Sequence, residues 1–297
     1  MTAIIRKEMR GYFNSWIGYI FLFIQVGLVS VFFAFINLAG QNGNFQITLT
    51  NITILLLIII PVLTMRLFAE EARQKTDQLL FTAPISITSI VLGKFLSAFI
   101  LACIGLALTG IFPLMLSRFG ELPLSEIFTV YVGYILLMSC FISVGMFVSA
   151  CTESQITSAV VTFFVMIVMY LMDAIASAVN NTITVSQTSA SAALISLSFV
   201  AVIIAVLAYI VYDSTKNYYV AGGLALILVA AASGIYAFDA SIFDGALIKT
   251  SQWLSVMSRF NNFDKGVLSV SDIIYYVSFT AAFIYLSINT IEKRRWK

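Results

Sequence analysis

A group of acidic and basic side chains lies in one internal segment, residues 66–77, between two apolar runs. Glu71 and Lys75 are four residues apart, as are Arg73 and Asp77, so each couple can form an ion pair on one face of a helix. Pro84 is expected to stop that helix. A charged helix between two apolar segments is suited to docking a soluble partner, and the alternative is a solvated connector.

Polar side chains also occur inside an apolar stretch in the middle of the chain. Asp173 is an acid embedded in that stretch, and an ionisable group within a membrane span is a candidate ion or proton site. It lies within about two turns of the predicted outer end of its helix, so a structural role is the alternative. Gln155, Ser158 and Thr162 on the same helix could line a path or hold helices together.

The sequence lacks the residues that histidine-based catalysis requires. There is no histidine, which excludes Ser-His and Cys-His nucleophiles and imidazole metal ligands. The three cysteines are scattered without metal-ligand spacing. The run LGKF at residues 92–95 lacks the upstream glycine and the hydroxyl residue of a nucleotide phosphate loop. We therefore expect no catalytic, metal or cofactor site in this chain.

The composition predicts a membrane protein. Of 297 residues, 61% are hydrophobic and 10% are charged, with a mean hydropathy of +1.01. A soluble domain carries roughly 25% charged residues, so a soluble globular protein and a disordered one are both excluded. The net charge of +2 is too small for a nucleic-acid binder, which needs a clustered basic face.

Long uncharged runs predict membrane-spanning helices, because one span needs about 20 mostly apolar residues. The runs are too long for transmembrane strands and do not alternate apolar with polar residues. We therefore predict an all-α polytopic protein with about eight spans. The predicted spans cover about residues 15–38, 48–67, 90–116, 126–150, 156–179, 192–212, 218–238 and 272–291. Six spans would also satisfy the topology, and the pair at 192–238 is the part of the count that stays open.

The distribution of Lys and Arg predicts the orientation. Twelve of the sixteen lie on the side that would hold both termini, which places the N and C termini in the cytoplasm. The first apolar run is expected to be an anchor and not a cleaved signal peptide. Residues 246–265 predict an interfacial helix on the outer leaflet, followed by Asp272 in the first turn of the last span, where the helix dipole favours an anion.

Residues 1–14 predict an amphipathic helix in the membrane interface, with basic side chains towards anionic lipid. We refer to this segment as the elbow helix. Its charged residues are Arg6, Lys7, Glu8 and Arg10. The alternatives are a topology signal only and an elbow that moves with the first span.

Several motifs together carry a family resemblance. They are IPVLTMRLFAEE at residues 60–71, TDQLLFTAPIS at 76–86, VLGKF at 91–95 and RFNNFDKGVL at 259–268. The sequence resembles the ABC-2 type transporter permeases, closest to the branch of gliding-motility and nitrous-oxide-reductase-maturation permeases. The resemblance covers about 1–180 and 250–297. Residues 185–245 look like an insertion of two extra spans into a core of six.

The resemblance implies a division of labour. A separate ATPase subunit would bind ATP and magnesium, and two permease subunits, identical or related, would form the path of an exporter. Residues 68–83 would be the coupling helix that touches the ATPase. The implied coupling residues are Glu70, Glu71, Arg73, Lys75, Thr76, Asp77, Leu79, Leu80 and Pro84. The first, second and fifth spans would face the path, with candidate lining residues Thr64, Gln155, Ser158, Thr162 and Asp173.

The expected location is the bacterial cytoplasmic membrane, in contact with lipid. Two other functions stay open at this point. One is an ion-coupled secondary transporter with Asp173 as the ion site. The other is a membrane scaffold that transmits force in a motility or cofactor-assembly machine. Lipid, peptide, drug and metal-centre components are all open as cargo.

Overall fold

The computed structural model describes residues 1–76, 85–119, 122–185 and 255–295, and no strand occurs in those ranges. The predicted spans at 192–212 and 218–238, and residues 246–254 of the predicted outer helix, lie outside the described residues. The chain divides into two compact units, Met1–Tyr170 with Met257–Lys297 and Leu171–Val256. In the second unit only 171–185 and 255–256 are described, so the architecture below is that of the first unit.

The helices follow one another with short connections. In chain order they are α1 (Thr2–Asn14), α2 (Trp16–Phe33), α3 (Phe45–Asn51), α4 (Leu56–Thr64), α5 (Ala69–Gln74), α6 (Ile87–Thr109), α7 (Ile111–Leu116), α8 (Leu124–Cys151), α9 (Gln155–Val185), α10 (Val256–Asp264) and α11 (Val270–Arg295). A π-helical turn, Ala34–Ala39, extends α2, and a 3₁₀ turn, Ile52–Leu55, joins α3 to α4.

Six described segments are long and apolar enough to cross a membrane. They are Gly18–Ala39, Phe45–Gln74, Ile87–Leu116, Leu124–Cys151, Gln155–Met172 and Val270–Arg295. Each coincides with one of the predicted spans, because uninterrupted hydropathy over some 20 residues is a local property of the sequence. The predicted all-α polytopic class is confirmed.

Helix α8 is at the centre of the first unit and contacts α3, α4, α5, α6 and α11. Its small residues allow close packing, as is typical of helices in membranes. A Cβ atom added at Gly145 would lie 2.2 Å from Oγ1 of Thr64 on α4, so only glycine fits at this crossing. The hydroxyls of Ser139 on α8 and Thr280 on α11 are 3.3 Å apart, which links α8 to the last span.

At one end of the bundle, the elbow helix α1 packs against α6 and α2. Ile4 and Tyr12 are buried, and the basic side chains of Arg6, Lys7 and Arg10 are exposed. We call this end of the bundle the elbow end.

At the opposite end, one ion pair and one amide hydrogen bond hold α10 and α11 together. Arg259 donates to Oδ1 of Asp272 at 3.0 Å, and Asn262 donates to Oδ2 of the same carboxylate at 2.8 Å. Asp264 accepts hydrogen bonds from Thr50 and, at 3.4 Å, from Gln46. The role of Asp272 is therefore wider than the predicted interaction with a helix dipole. Arg259 on α10 supplies a guanidinium partner that the hydropathy pattern does not reveal.

Candidate functional site

The short helix α5 lies in the charged segment of residues 66–77, and its start is held by α8. The hydroxyl oxygen of Ser149 accepts from the backbone N–H groups of Phe68 and Ala69, both at 3.1 Å. The same hydroxyl donates to the carbonyl of Met65 at 3.2 Å. The first N–H groups of a helix have no partner within the helix. One side chain of the central helix therefore satisfies the start of α5 and joins the loop to the core.

Helix α5 ends at Gln74, because Lys75 adopts the left-handed conformation with φ of 57°. The backbone N–H of Thr76 then bonds the carbonyl of Glu71 at 3.0 Å, which closes the C-terminus. The predicted helix over 68–83 is thus interrupted at Lys75, and i,i+4 spacing no longer places Lys75 beside Glu71 on a helix face. Asp77, Leu79, Leu80 and Pro84 lie outside the described residues.

Glu71 instead belongs to a cluster of charges that involves three elements. Lys94 on α6 is 2% exposed, and its Nζ lies 2.9 Å from Oε1 of Glu71 and 3.1 Å from Oε1 of Glu8 on the elbow helix. Lys7 lies 3.5 Å from the same oxygen of Glu71 and is 61% exposed. The ammonium of Lys94 also lies 5.3 Å from the ring centroid of Phe68. We call Lys7, Glu8, Glu71 and Lys94 the Lys94 cluster.

Glu70 has a different set of neighbours from Glu71. Arg66, in the turn between α4 and α5, donates to it at 3.1 Å, and the guanidinium of Arg66 lies 5.8 Å from the ring centroid of Tyr12. Burial raises the pKa of the Tyr12 phenol well above its usual value, the charge of Glu8 raises it further, and Arg66 opposes the shift. Arg66 and Glu70 therefore connect the second span to the elbow helix.

A groove of about 260 Å³ opens between α2 and α4. Its walls are aliphatic and aromatic, and its elbow end carries Arg66, Glu70 and Gln155. Nη1 of Arg66 is buried and makes no hydrogen bond among the described residues. The groove thus combines a long apolar wall with a polar end, where Nη1 of Arg66 could donate a further hydrogen bond.

The predicted path-lining residues occupy several environments. Gln155 lines the groove, whereas Thr64 is fully buried, faces Gly145 of α8 and donates to the carbonyl of Ile60 at 2.9 Å. Ser158 and Thr162 are fully buried one turn apart on α9, and among the described residues their hydroxyls have no hydrogen-bond partner. Asp173 lies on the part of α9 in the second unit, and its side chain is outside the described residues.

Those predicted coupling and elbow residues that the structure describes lie at one end of the bundle. Glu8 and Glu71 come together there, and the side chains of Arg6, Arg10, Arg73 and Lys75 are exposed. Arg294, at the end of α11, lies 3.7 Å from Glu153, beyond the end of α8. The elbow end is therefore the basic end of the described chain.

Two residues that organise this site were missed by reasoning from sequence. Ser149 gave no signal, because a serine in an apolar helix most often bonds its own backbone. Lys94 did give one, since it is the single charge between Asp77 and Arg118. A lone ammonium inside an apolar helix needs counter-ions, and only the packing of α1 and α5 against α6 reveals that they are Glu8 and Glu71.

Comparison with known proteins identifies a family. The sequence model described as ABC-2 family transporter protein matches residues 15–219, more than half of the 297 residues. The matched range includes α2 to α9. No curated protein and no solved structure is significantly similar to the chain. With apolar spans throughout and a family match over most of its length, the chain belongs to the ABC-2 transporter family.

Proposed function

We propose that this chain is the permease subunit of an ATP-binding cassette exporter, that two permease subunits form the translocation path, and that separate ATPase subunits drive it. Family membership makes it a multi-pass permease of an ABC transporter and implies an ABC ATPase as its partner. The ATP and magnesium belong to that partner, because the sequence contains no phosphate loop.

One observation carries the proposal: α5 is charged on its outer side and fixed on its inner side. Arg73 and Lys75 are exposed, and Glu71 and the backbone of Ala69 are bound to α6 and α8. A soluble subunit that binds the exposed side can move the membrane helices only if the segment does not bend independently. The hydrogen bonds of Ser149 supply that connection.

The basic character of the elbow end supports its location in the cytoplasm, where the ATPase must work. Lys and Arg are retained on the cytoplasmic side of membrane proteins. The exposed face of α1 would then lie on the anionic inner leaflet of a bacterial cytoplasmic membrane, in contact with lipid headgroups.

The groove between α2 and α4 is the candidate part of the path in the first unit. Its polar end supplies Arg66 and Gln155. The hydroxyls of Ser158 and Thr162 on α9 are fully buried and have no hydrogen-bond partner among the described residues, so only a movement of α9 would bring them to the path. A buried hydroxyl without a partner costs free energy, so a movement that gives it a hydrogen-bond partner is favoured. The resemblance to the gliding-motility and nitrous-oxide-reductase-maturation branch leaves force transmission in such a machine as a second output of the same coupling.

The test is purification of the permease with a co-expressed ABC ATPase, followed by charge reversal on α5. Arg73→Glu is expected to reduce ATPase binding and the stimulation of hydrolysis, while membrane insertion stays normal. Arg118→Glu is the matched control, because Arg118 is equally exposed and follows α7 at the end of the third span. Equal ATPase binding by the two variants would remove α5 as the docking segment. Transport driven by an ion gradient without any ATPase would remove the proposed function.

A further inference from the structure

The VLGKF motif of residues 91–95 has no role in the proposed docking, yet it holds the most deeply buried charge in the described chain. Lys94 is 2% exposed, and its two carboxylate partners come from two different elements. Glu8 is on the elbow helix, 86 residues earlier in the sequence, and Glu71 is on α5. Both acids are 17% exposed, so they reach the ammonium from the edge of the bundle.

Neither acid can easily exchange Lys94 for another cation. For Glu8, Lys94 provides the one ion pair found among the described residues. Glu71 has a second partner in Lys7, but that side chain is 61% exposed and the distance is 3.5 Å, so water screens the interaction. A buried ammonium that lost one carboxylate would not be rehydrated. Separation of α5 from the elbow helix is therefore opposed by the Lys94 ammonium.

The elbow helix is in turn tightly joined to α6 and to the first span. A Cβ atom added at Gly93 would lie 2.9 Å from Cγ2 of Ile4, so the neighbour of Lys94 is in direct contact with α1. A Cβ atom added at Gly18 would lie 2.5 Å from the carbonyl oxygen of Tyr12, so α2 begins against the backbone of α1. A displacement of α1 must therefore carry the start of α2.

We propose that Lys94 is a positioning residue for transport, which links the movement of α5 to the elbow helix and through it to the first span. This inference rests on the proposed function, because the movement of α5 is supplied by the ATPase. The order of contact is Glu71, Lys94 and Glu8, followed by the backbone approach of Tyr12 to Gly18. Well-packed apolar residues can replace a buried ion pair without loss of stability. The charges here therefore serve to fix the positions of α1, α5 and α6 relative to one another.

The experiment uses the complete permease with its ATPase in lipid nanodiscs and reads the movement of the first span. Trp16 begins α2 and is 83% exposed, so this position is accessible to a label. The three native cysteines are replaced by alanine, and an environment-sensitive fluorophore is attached to the thiol of Trp16→Cys. The measured quantity is the change in fluorescence when ATP and vanadate trap the ATPase. We expect Lys94→Met to reduce this fluorescence change by a factor of at least about five, which is the smallest effect that one site typically has on another. The ATPase should still co-purify with this variant.

Milder variants keep the inference falsifiable if Lys94→Met fails to fold. Glu8→Gln and Glu71→Gln retain the size of each side chain, and each is expected to reduce the fluorescence change by a similar factor. Because the residues act in series, Glu8→Gln combined with Lys94→Met should be no worse than Lys94→Met alone. The matched controls, exposed Lys265→Met and exposed Glu292→Gln, should keep the full response.

The outcomes separate this inference from the proposed function. A full fluorescence change in Lys94→Met or in Glu8→Gln, with normal ATPase binding, would overturn the role of Lys94 and leave the permease assignment intact. Additive losses in the double variant would also overturn it, because they indicate independent structural damage. Failure of the wild-type chain to bind an ABC ATPase would remove the proposed function and this inference with it.

Discussion

The hydroxyl of Ser149 lies 3.1 Å from the backbone nitrogen of Ala69, so the central helix α8 supplies the cap for α5, 80 residues away in the sequence. We expect Ser149→Ala to destabilise the protein by about 1–3 kcal/mol, since two buried N–H groups lose their acceptor. Thermal unfolding in detergent measures the loss, and ATPase stimulation should fall with it.

Ser143→Ala is the matched control for this cap. Ser143 is also buried on α8, but its hydroxyl bonds the carbonyl of Cys140 in its own helix at 2.7 Å. Its replacement should change the melting temperature by much less. Equal melting temperatures for the two variants would show that the hydrogen bonds of Ser149 do not stabilise α5.

The crossing of α4 and α8 predicts a second effect. Gly145→Ala would place a methyl group 2.2 Å from Oγ1 of Thr64, so the helices must separate, at a cost of about 1–3 kcal/mol. Gly27→Ala on α2 is the control, because a Cβ atom there meets nothing within 4 Å. Unfolding by titrated denaturant should therefore distinguish them, and a Gly145→Ala variant as stable as Gly27→Ala would refute this packing.

The ion pair between α10 and α11 predicts a third effect. Asp272 is 3% exposed, and its loss leaves the guanidinium of Arg259 without its carboxylate. Asp272→Leu is expected to cost about 3–5 kcal/mol, as for other broken buried pairs. The double variant Arg259→Met with Asp272→Leu should recover most of that stability in the same unfolding assay. A double variant that is less stable than Asp272→Leu would contradict this account.

Asp173 distinguishes the proposed exporter from an ion-coupled transporter. If the ATPase supplies the free energy, Asp173→Asn should retain ATP-dependent transport in proteoliposomes and show no dependence on a proton gradient. An ion-coupled transporter would lose transport entirely, because the acid that carries the ion is gone. The assay therefore compares ATP and an imposed pH gradient as the driving force for wild type and variant.

The helical class and the described spans could be predicted from sequence, because the hydropathy and charge of a segment one helix long are enough to identify a membrane span. The elbow helix could also be predicted, since Arg6 and Arg10 share a face across one turn. The extent of α5 could not: its end depends on the left-handed turn at Lys75, which a charge pattern of i,i+4 spacing does not reveal.

The amino-acid sequence by itself determined that this chain crosses a membrane several times and that one internal connecting segment, residues 66–77, is rich in charge. Only the tertiary structure decided which charges meet. Lys94 finds its counter-ions on α1 and α5, and Thr64 packs against Gly145 in the core and not along the groove. The physical reason is that the free energy of transferring a residue into an apolar environment depends on that residue and its near neighbours. The energy of an ion pair depends on the distance between two charges, which the packing of several helices sets.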